Sequence, residues 1–138
     1  MIRYTNTISV DDYNRLRDAV GWRLIAPAQA KAGLDNSASY IIAAVDGEQT
    51  VGMARLIMDG GHSAFIEDVI VLPEFQRQGI GTYMMERIMS HLRSMLQEGY
   101  WFSVVLIAAQ GKEPFYEKFG FIARPNATYG AGMSQHIG

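Results

Sequence analysis

Residues 64–82 restrict the fold more than any other stretch, because they pass from strand to helix through a short loop rich in polar residues and glycine. The run 64–72 is dense in apolar residues rather than alternating, which predicts a largely buried strand that Pro73 ends. From Gly79 the apolar period becomes helical and puts Ile80, Met84, Ile88 and Leu92 on one face of a helix over 79–97, closed by Gly99. Met84, Met85, Met89 and Met95 are expected to pack that helix rather than to meet a substrate.

The junction has a specific chemistry. Gly79 and Gly81 let backbone approach a ligand closely, and the first N–H groups of a helix have no partner within it. The helix dipole adds its own pull on a negative charge. A pyrophosphate is the natural guest, with Gln76, Arg77 and Gln78 as further donors around the loop. A plain tight turn needs the same glycines, so residues 79–81 alone leave both readings open. Two nucleotide motifs fail. The dinucleotide fingerprint requires a third glycine where Met84 stands, and the spacing from Gly47 to Gly52 is followed by Met53-Ala54 instead of the Lys and Ser or Thr of a P-loop.

Before the junction, residues 2–8 predict a first strand, and Ser9 with Asp11 and Asp12 predicts the start of a helix carrying Val10, Tyr13, Leu16 and Val20. Pro27 opens a second helix through residue 34, followed by the polar break Asp35-Asn36-Ser37. Residues 40–45 and 50–57 are expected to pair antiparallel across Asp46-Gly47. After the long helix come an apolar strand over 101–109, a short helix over 112–119 ended by Gly120, and a tail from Phe121 with one or two short strands. The order β-α-α-β-β-β-α-β-α-β implies an α/β chain of the α+β kind, with a mixed, mostly antiparallel sheet and helices on its faces.

Composition narrows the function. At 138 residues one domain over 1–138 is expected. With 12 basic and 14 acidic residues the net charge is −2, which gives no overall attraction to nucleic acid or to an anionic membrane. The absence of cysteine excludes a thiol nucleophile and thiolate zinc sites, and His62, His91 and His136 are scattered, so no metal is expected. Neither a signal peptide nor an apolar stretch of spanning length is legible, and a cytoplasmic protein is expected.

Gln76-Arg77-Gln78-Gly79-Ile80-Gly81 resembles the Q/R-x-x-G-x-G/A signature of the GNAT superfamily of acyl-CoA-dependent N-acyltransferases. Phe115-Tyr116-Glu117-Lys118-Phe119-Gly120-Phe121 resembles the F-Y-x-K-x-G-F segment that follows in the same superfamily. More narrowly, Gly52-Met53-Ala54-Arg55, Asp59 and residues 68–76 resemble plant and cyanobacterial serotonin (arylalkylamine) N-acetyltransferases.

The resemblance implies acetyl-CoA as cofactor and a sheet splayed between its fourth and fifth strands. Gly79, Ile80, Gly81 and Thr82 would hold the pyrophosphate through their amides, and Ile70 and Val71 would pair their main chain with the pantetheine arm. Tyr116 falls on the general-acid position, where a phenol can protonate or hydrogen-bond the departing thiolate. An acceptor amine with a pKa near 10 is neutral in only about one molecule in a thousand at pH 7, so a carboxylate that takes its proton helps. Glu67 and Asp68 are the candidates; being neighbours on a strand, they should face opposite ways. Each is equally readable as a solvated or a structural carboxylate. Many family members carry an asparagine where this chain has Ala108-Ala109-Gln110-Gly111, which leaves the contact that asparagine makes to Gln110, if to any residue.

With those motifs committed to CoA, acceptor recognition is expected in the first third. Trp22 and Arg23 are the leading candidates there, followed by Tyr40 and Phe65, each also readable as core aromatic or solvated arginine. The expected activity is direct acetyl transfer to the primary amine of a small molecule, an arylalkylamine or a polyamine. Acetylation of a protein lysine or N-terminus, a CoA-binding regulatory module without turnover, and an interaction protein with no cofactor are the alternatives. The family often dimerises, and apolar residues 131–133 are candidate homodimer surface.

Overall fold

The structure is a computed structural model that describes residues 1–36 and 40–138, so Ser37 of the expected polar break lies outside the described residues. Two compact units divide it, Met1–Leu106 and Ile107–Gly138. The first unit holds a five-stranded sheet in the order β1 (Ile2–Thr5), β2 (Tyr40–Asp46), β3 (Gln49–Met58), β4 (Ser63–Val71) and β5 (Ser103–Leu106). The first three pairings are antiparallel and β4 runs parallel to β5, which gives the mixed sheet that the element order implies. Helices α1 (Val10–Ala19), α2 (Pro27–Asp35) and α3 (Ile80–Ser94) complete this unit. The second unit contains α4 (Glu113–Glu117).

Local chemistry explains most boundaries. Ser9 caps α1 by accepting from the Asp12 amide, and Tyr13 and Leu16 bury the face turned to the sheet. β1 stops at Thr5, short of the expected residue 8, because the Asn6 side chain takes the Ile41 carbonyl at 2.8 Å in place of a further ladder bond. The hairpin turn lies one residue later than expected: Asp46 pairs with Gln49, leaving Gly47 and Glu48 as its two residues. Gly47 carries φ +61° and Glu48 is not among the residues with positive φ, the pattern of a turn with glycine at its first central position.

β4 also departs from the expected uniform burial. Ala64, Ile66, Asp68 and Ile70 are buried while the residues between them are only partly covered. The apolar density of the run conceals an alternation, because Phe65, Val69 and Val71 are apolar on the less covered side. α3 ends at Ser94 rather than 97, since Leu92 is the last residue of its buried stripe and Leu96 is exposed. β5 is shorter than the apolar run 101–109; Trp101 and Ile107 stand exposed on either side of it. α4 is likewise shorter than 112–119. No strand forms in the tail among the described residues, contrary to expectation. The Asn126 side chain captures the amides of Thr128 and Tyr129, and Asn126 N–H donates to the Tyr129 carbonyl, so local turn bonds replace a ladder.

The two faces of the sheet are covered by different helices. Gly52 of β3 lies under the start of α3: a Cβ there would sit 3.0 Å from the Ile70 carbonyl and 3.4 Å from Met84 Cε. Arg55, three residues on and therefore on the opposite face, meets α1 through Asp68 and Tyr13. The end of β4 is thus held between both helical layers.

Candidate functional site

The sheet opens where β4 outruns β5. Pairing with β5 ends at Ile66 opposite Leu106, and residues 67–71 continue along β3 alone. Between the pairs Arg55–Glu67 and Met53–Ile70, β4 carries one residue more than β3. Asp68 sits in this bulge at φ +54°, a left-handed conformation that aspartate tolerates better than most residues. Beyond the bulge, Leu72 N–H donates to Val51 C=O of β3 at 2.8 Å, and the Ile70 carbonyl lies against Gly52 on that same side. Main-chain groups alternate along a strand, so Val71, with Val69 before it, turns its amide and carbonyl toward the open side. Ile70, expected to share that role, instead points its main chain at β3 and its side chain into the core.

The loop that follows is shaped by two left-handed residues. Pro73–Phe75 forms one turn of 3-10 helix, then Arg77 at φ +63° and Gly79 at φ +85° bracket Gln78 before α3 begins. Gly79 brings no capping side chain, and the first backbone bond of α3 runs from Tyr83 N–H to Gly79 C=O. The amides of Ile80, Gly81 and Thr82 precede that bond and have no intrahelical acceptor. A concave set of uncapped amides at the positive end of a 15-residue helix is complementary to an anion. The Ile80 side chain is buried, so only its main chain is available. Gln76 is partly engaged, donating from Nε2 to Val71 C=O at 2.9 Å, which ties the loop to β4. Arg77 and Gln78 are exposed, and Gln78 reaches back to Glu74 C=O. These donors fit the pyrophosphate of CoA.

The two candidate carboxylates have different surroundings. The Asp68 side chain is 1% exposed and accepts from three donors: Arg17 Nη1 at 2.7 Å on Oδ1, and Tyr13 Oη at 2.6 Å and Arg55 Nε at 2.7 Å on Oδ2. Burial, together with the adjacent carboxylate, pushes the Tyr13 phenol up to about 12, so it remains a donor at any working pH. Glu67 is half-buried beside this cluster. Burial raises its pKa above the ordinary 4.5, Asp68 raises it further, and Arg55 and Arg17 partly oppose the shift. Asp68, offered by the sequence as a base, is committed to its three donors.

Trp22 follows α1 and lies beneath Arg17, whose Cζ is 5.6 Å from the ring centroid. The Arg23 carbonyl accepts from Arg17 Nε at 2.8 Å. Tyr40 is elsewhere, stacked on His91 of α3 at 4.4 Å and bonded to Arg87, while half-buried Phe65 lies in the paired part of β4. In the second unit, Tyr116 of α4 is half-buried with Phe115 edge-on at 5.0 Å and Phe121 at 6.4 Å. Burial pushes its phenol up to about 12. Gln110 is exposed in the turn closed by Lys112 N–H and Ala109 C=O. No group of three or more His, Cys, Asp or Glu suited to a metal occurs among the described residues, and no helix there is long and apolar enough to cross a membrane.

Residues 36–123 match the acetyltransferase (GNAT) domain family. The chain belongs to that family. It is 32% identical to the uncharacterised N-acetyltransferase ycf52 of Porphyra purpurea over 91% of its own length and 72% of the relative's. It is 31% identical to a histone acetyltransferase of Glycine max, covering 89% of this chain and 56% of that one. Among solved structures, a probable acetyltransferase from Staphylococcus aureus superposes with a TM-score of 0.87 at 31% identity, over 99% of this chain and all of the other.

Within this GNAT domain, sequence reasoning did not connect Tyr13, Arg17 and Arg55 with Asp68, nor place Val69 on the side of β4 turned away from β3. A partial signal existed for two of them: Tyr13 and Arg17 are four apart on α1 and share the face that carries Leu16. Nothing local marks their common target, since Asp68 is 55 and 51 residues away.

Proposed function

We propose that this GNAT domain transfers the acetyl group of acetyl-CoA directly to the primary amine of a small molecule, an arylalkylamine or a polyamine. The observation that carries the reading is the conjunction of a β4 end that β5 does not accompany with an uncapped, doubly left-handed loop at the start of α3. The amides of Gly79, Ile80, Gly81 and Thr82 bind the pyrophosphate, helped by Gln76, Arg77 and Gln78. Val69 offers its main chain and Val71 its N–H to the pantetheine arm, the Val71 carbonyl being taken by Gln76. Acetyl-CoA supplies the activated thioester and departs as free thiol.

Glu67 accepts the proton that the acceptor nitrogen sheds as its bond to the acetyl carbon forms. Its raised pKa brings it nearer the working pH, which suits a base. Asp68 holds the bulge that presents Glu67. Tyr116 donates a hydrogen bond to the sulfur as the carbon–sulfur bond breaks. Full transfer from a phenol near 12 to a thiolate of pKa about 8.5 is uphill by about 5 kcal/mol, so stabilisation of the leaving sulfur is its main contribution. With no cysteine and no G-x-S-x-G elbow in the chain, no acyl-enzyme step is invoked. Trp22 and Arg23 line the acceptor side. A cytoplasmic location and a homodimer, with exposed Met133 adding apolar surface, accompany the reading.

The test is thiol release from acetyl-CoA across an amine panel, compared with Tyr116→Phe. Release that depends on a small amine, with kcat lowered about a hundredfold in the variant, is the expected result. Tight CoA binding with no acceleration by any amine or protein contradicts it in favour of a regulatory module, and no thermal stabilisation by CoA contradicts CoA binding itself. The histone acetyltransferase relative supports a second reading, acetylation of a protein lysine, which labelled protein bands from radioactive acetyl-CoA would reveal.

A further inference from the structure

Arg17 is bonded to two different parts of the first unit. Its Nη1 donates to Asp68 Oδ1 at 2.7 Å on β4, and its Nε donates to the Arg23 carbonyl at 2.8 Å in the segment after α1. Its own carbonyl accepts from Trp22 N–H at 2.9 Å, and its guanidinium covers the Trp22 ring. The side chain is only 16% exposed. A guanidinium is a rigid planar fork, so these bonds fix the Arg23 carbonyl and the Asp68 carboxylate relative to one another. At the β4 end the bond lands on a residue in left-handed backbone, a conformation that persists only where the surroundings enforce it. Arg17 and Arg55 against Asp68 also leave one positive charge in excess, which ionised Glu67 balances.

We propose that Arg17 is a positioning residue for the acceptor side of the site, tying the Trp22-Arg23 segment to the Asp68 bulge so that the acceptor wall and the base at Glu67 are set by one side chain. The proposal rests on the roles given above to Trp22 and Glu67. It differs from a simple strut because it couples Arg17 chiefly to the amine: apart from Val69, which sits beside Asp68, the groups assigned to CoA lie beyond the bulge, at Val71, in the loop and at the start of α3.

Trp101→Phe removes an exposed ring and leaves Trp22 as the single tryptophan. In that background Arg17→Lys keeps a cation for Asp68, but one compact ammonium cannot also hold the Arg23 carbonyl; Arg17→Gln removes the charge as well. Both variants are expected to expose Trp22 to acrylamide quenching and to raise the amine KM about tenfold, with the acetyl-CoA KM within about twofold. Only Arg17→Gln should move the acid limb of kcat/KM to higher pH. Glu67 then has Asp68 on its own strand and Arg55 of β3 as its charged neighbours, with one cation fewer to hold its proton off. Unchanged Trp22 quenching and amine KM in folded variants would overturn the proposal, as would equal increases in both KM values. Should Arg17→Gln not fold, Arg17→Lys carries the comparison. Absence of any amine turnover by the parent defeats the proposed function, and Trp22 quenching then decides the Arg17 coupling by itself.

Discussion

From Ser63 to Ile66, β4 has β3 on one side and β5 on the other; from Glu67 to Val71 it has β3 alone. Both halves alternate buried and partly covered side chains, and both are rich in apolar residues, so composition does not separate them. The difference lies in the main chain and in what replaces a neighbour. The paired half has satisfied amides and carbonyls and fixes β5. The open half has a bulge clamped by two arginines and a tyrosine, main-chain groups on the side that β5 does not reach, and a loop that brings uncapped amides to the same end. On the proposed reading one strand serves packing and then ligand presentation, its second part being rigidified by something other than a second neighbouring strand.

If Asp68 is that rigidifying element, Asp68→Ala gives the largest effect. It leaves two nearly buried guanidinium groups without their carboxylate, and a loss of about 3–5 kcal/mol is expected by urea denaturation. Ser63→Ala, in the paired half and exposed, should stay within about 0.5 kcal/mol. Equal small losses would mean that the bulge is not held by Asp68.

Glu67→Gln sharpens the contrast on the chemical side. We expect kcat/KM to fall about a hundredfold near neutral pH, with little change in melting temperature. If Glu67 is the base, the parent needs it ionised, and because burial holds its pKa above 4.5 the rate should fall as pH drops through a value above 4.5; the variant should lack this limb. An acid limb that survives in Glu67→Gln would assign the base elsewhere.

Smaller still, Gly79→Ala and Gly47→Ala both force a Cβ onto positive φ, at +85° and +61°, with open space around each. Each should cost about 1–2 kcal/mol of stability. Only Gly79→Ala should raise the KM for acetyl-CoA, because Gly47 serves a hairpin and Gly79 opens the amide cradle proposed for the pyrophosphate. A matching rise in both would point to general loosening.

Much of this arrangement was legible in the sequence where it depends on neighbours in the chain. Ser9 capping Asp12, the stripe Ile80, Met84, Ile88 and Leu92, and the glycine that starts α3 all follow from local spacing. The features that escaped depend on residues brought from afar. The choice between Glu67 and Asp68 turns on Arg17, Arg55 and Tyr13, and no pattern around residue 68 announces a bulge with left-handed φ. That same bulge and the Leu72–Val51 bond decide that Val69 and Val71, rather than Ile70, face away from β3. The tail misled in the opposite way, since its apolar residues suggested strands while Asn126 diverts the backbone donors into a turn.

The central claim is that CoA is held by the open half of β4 and the start of α3. Residue-resolved amide NMR of the isotopically labelled protein, with and without CoA, tests it most directly. The account predicts that the amides of Val69, Val71, Gly79, Ile80, Gly81 and Thr82 shift and become protected from exchange while those of Ala64, Phe65 and Ile66 do not. Protection spread evenly over both halves of β4, or none at residues 79–82, would contradict it.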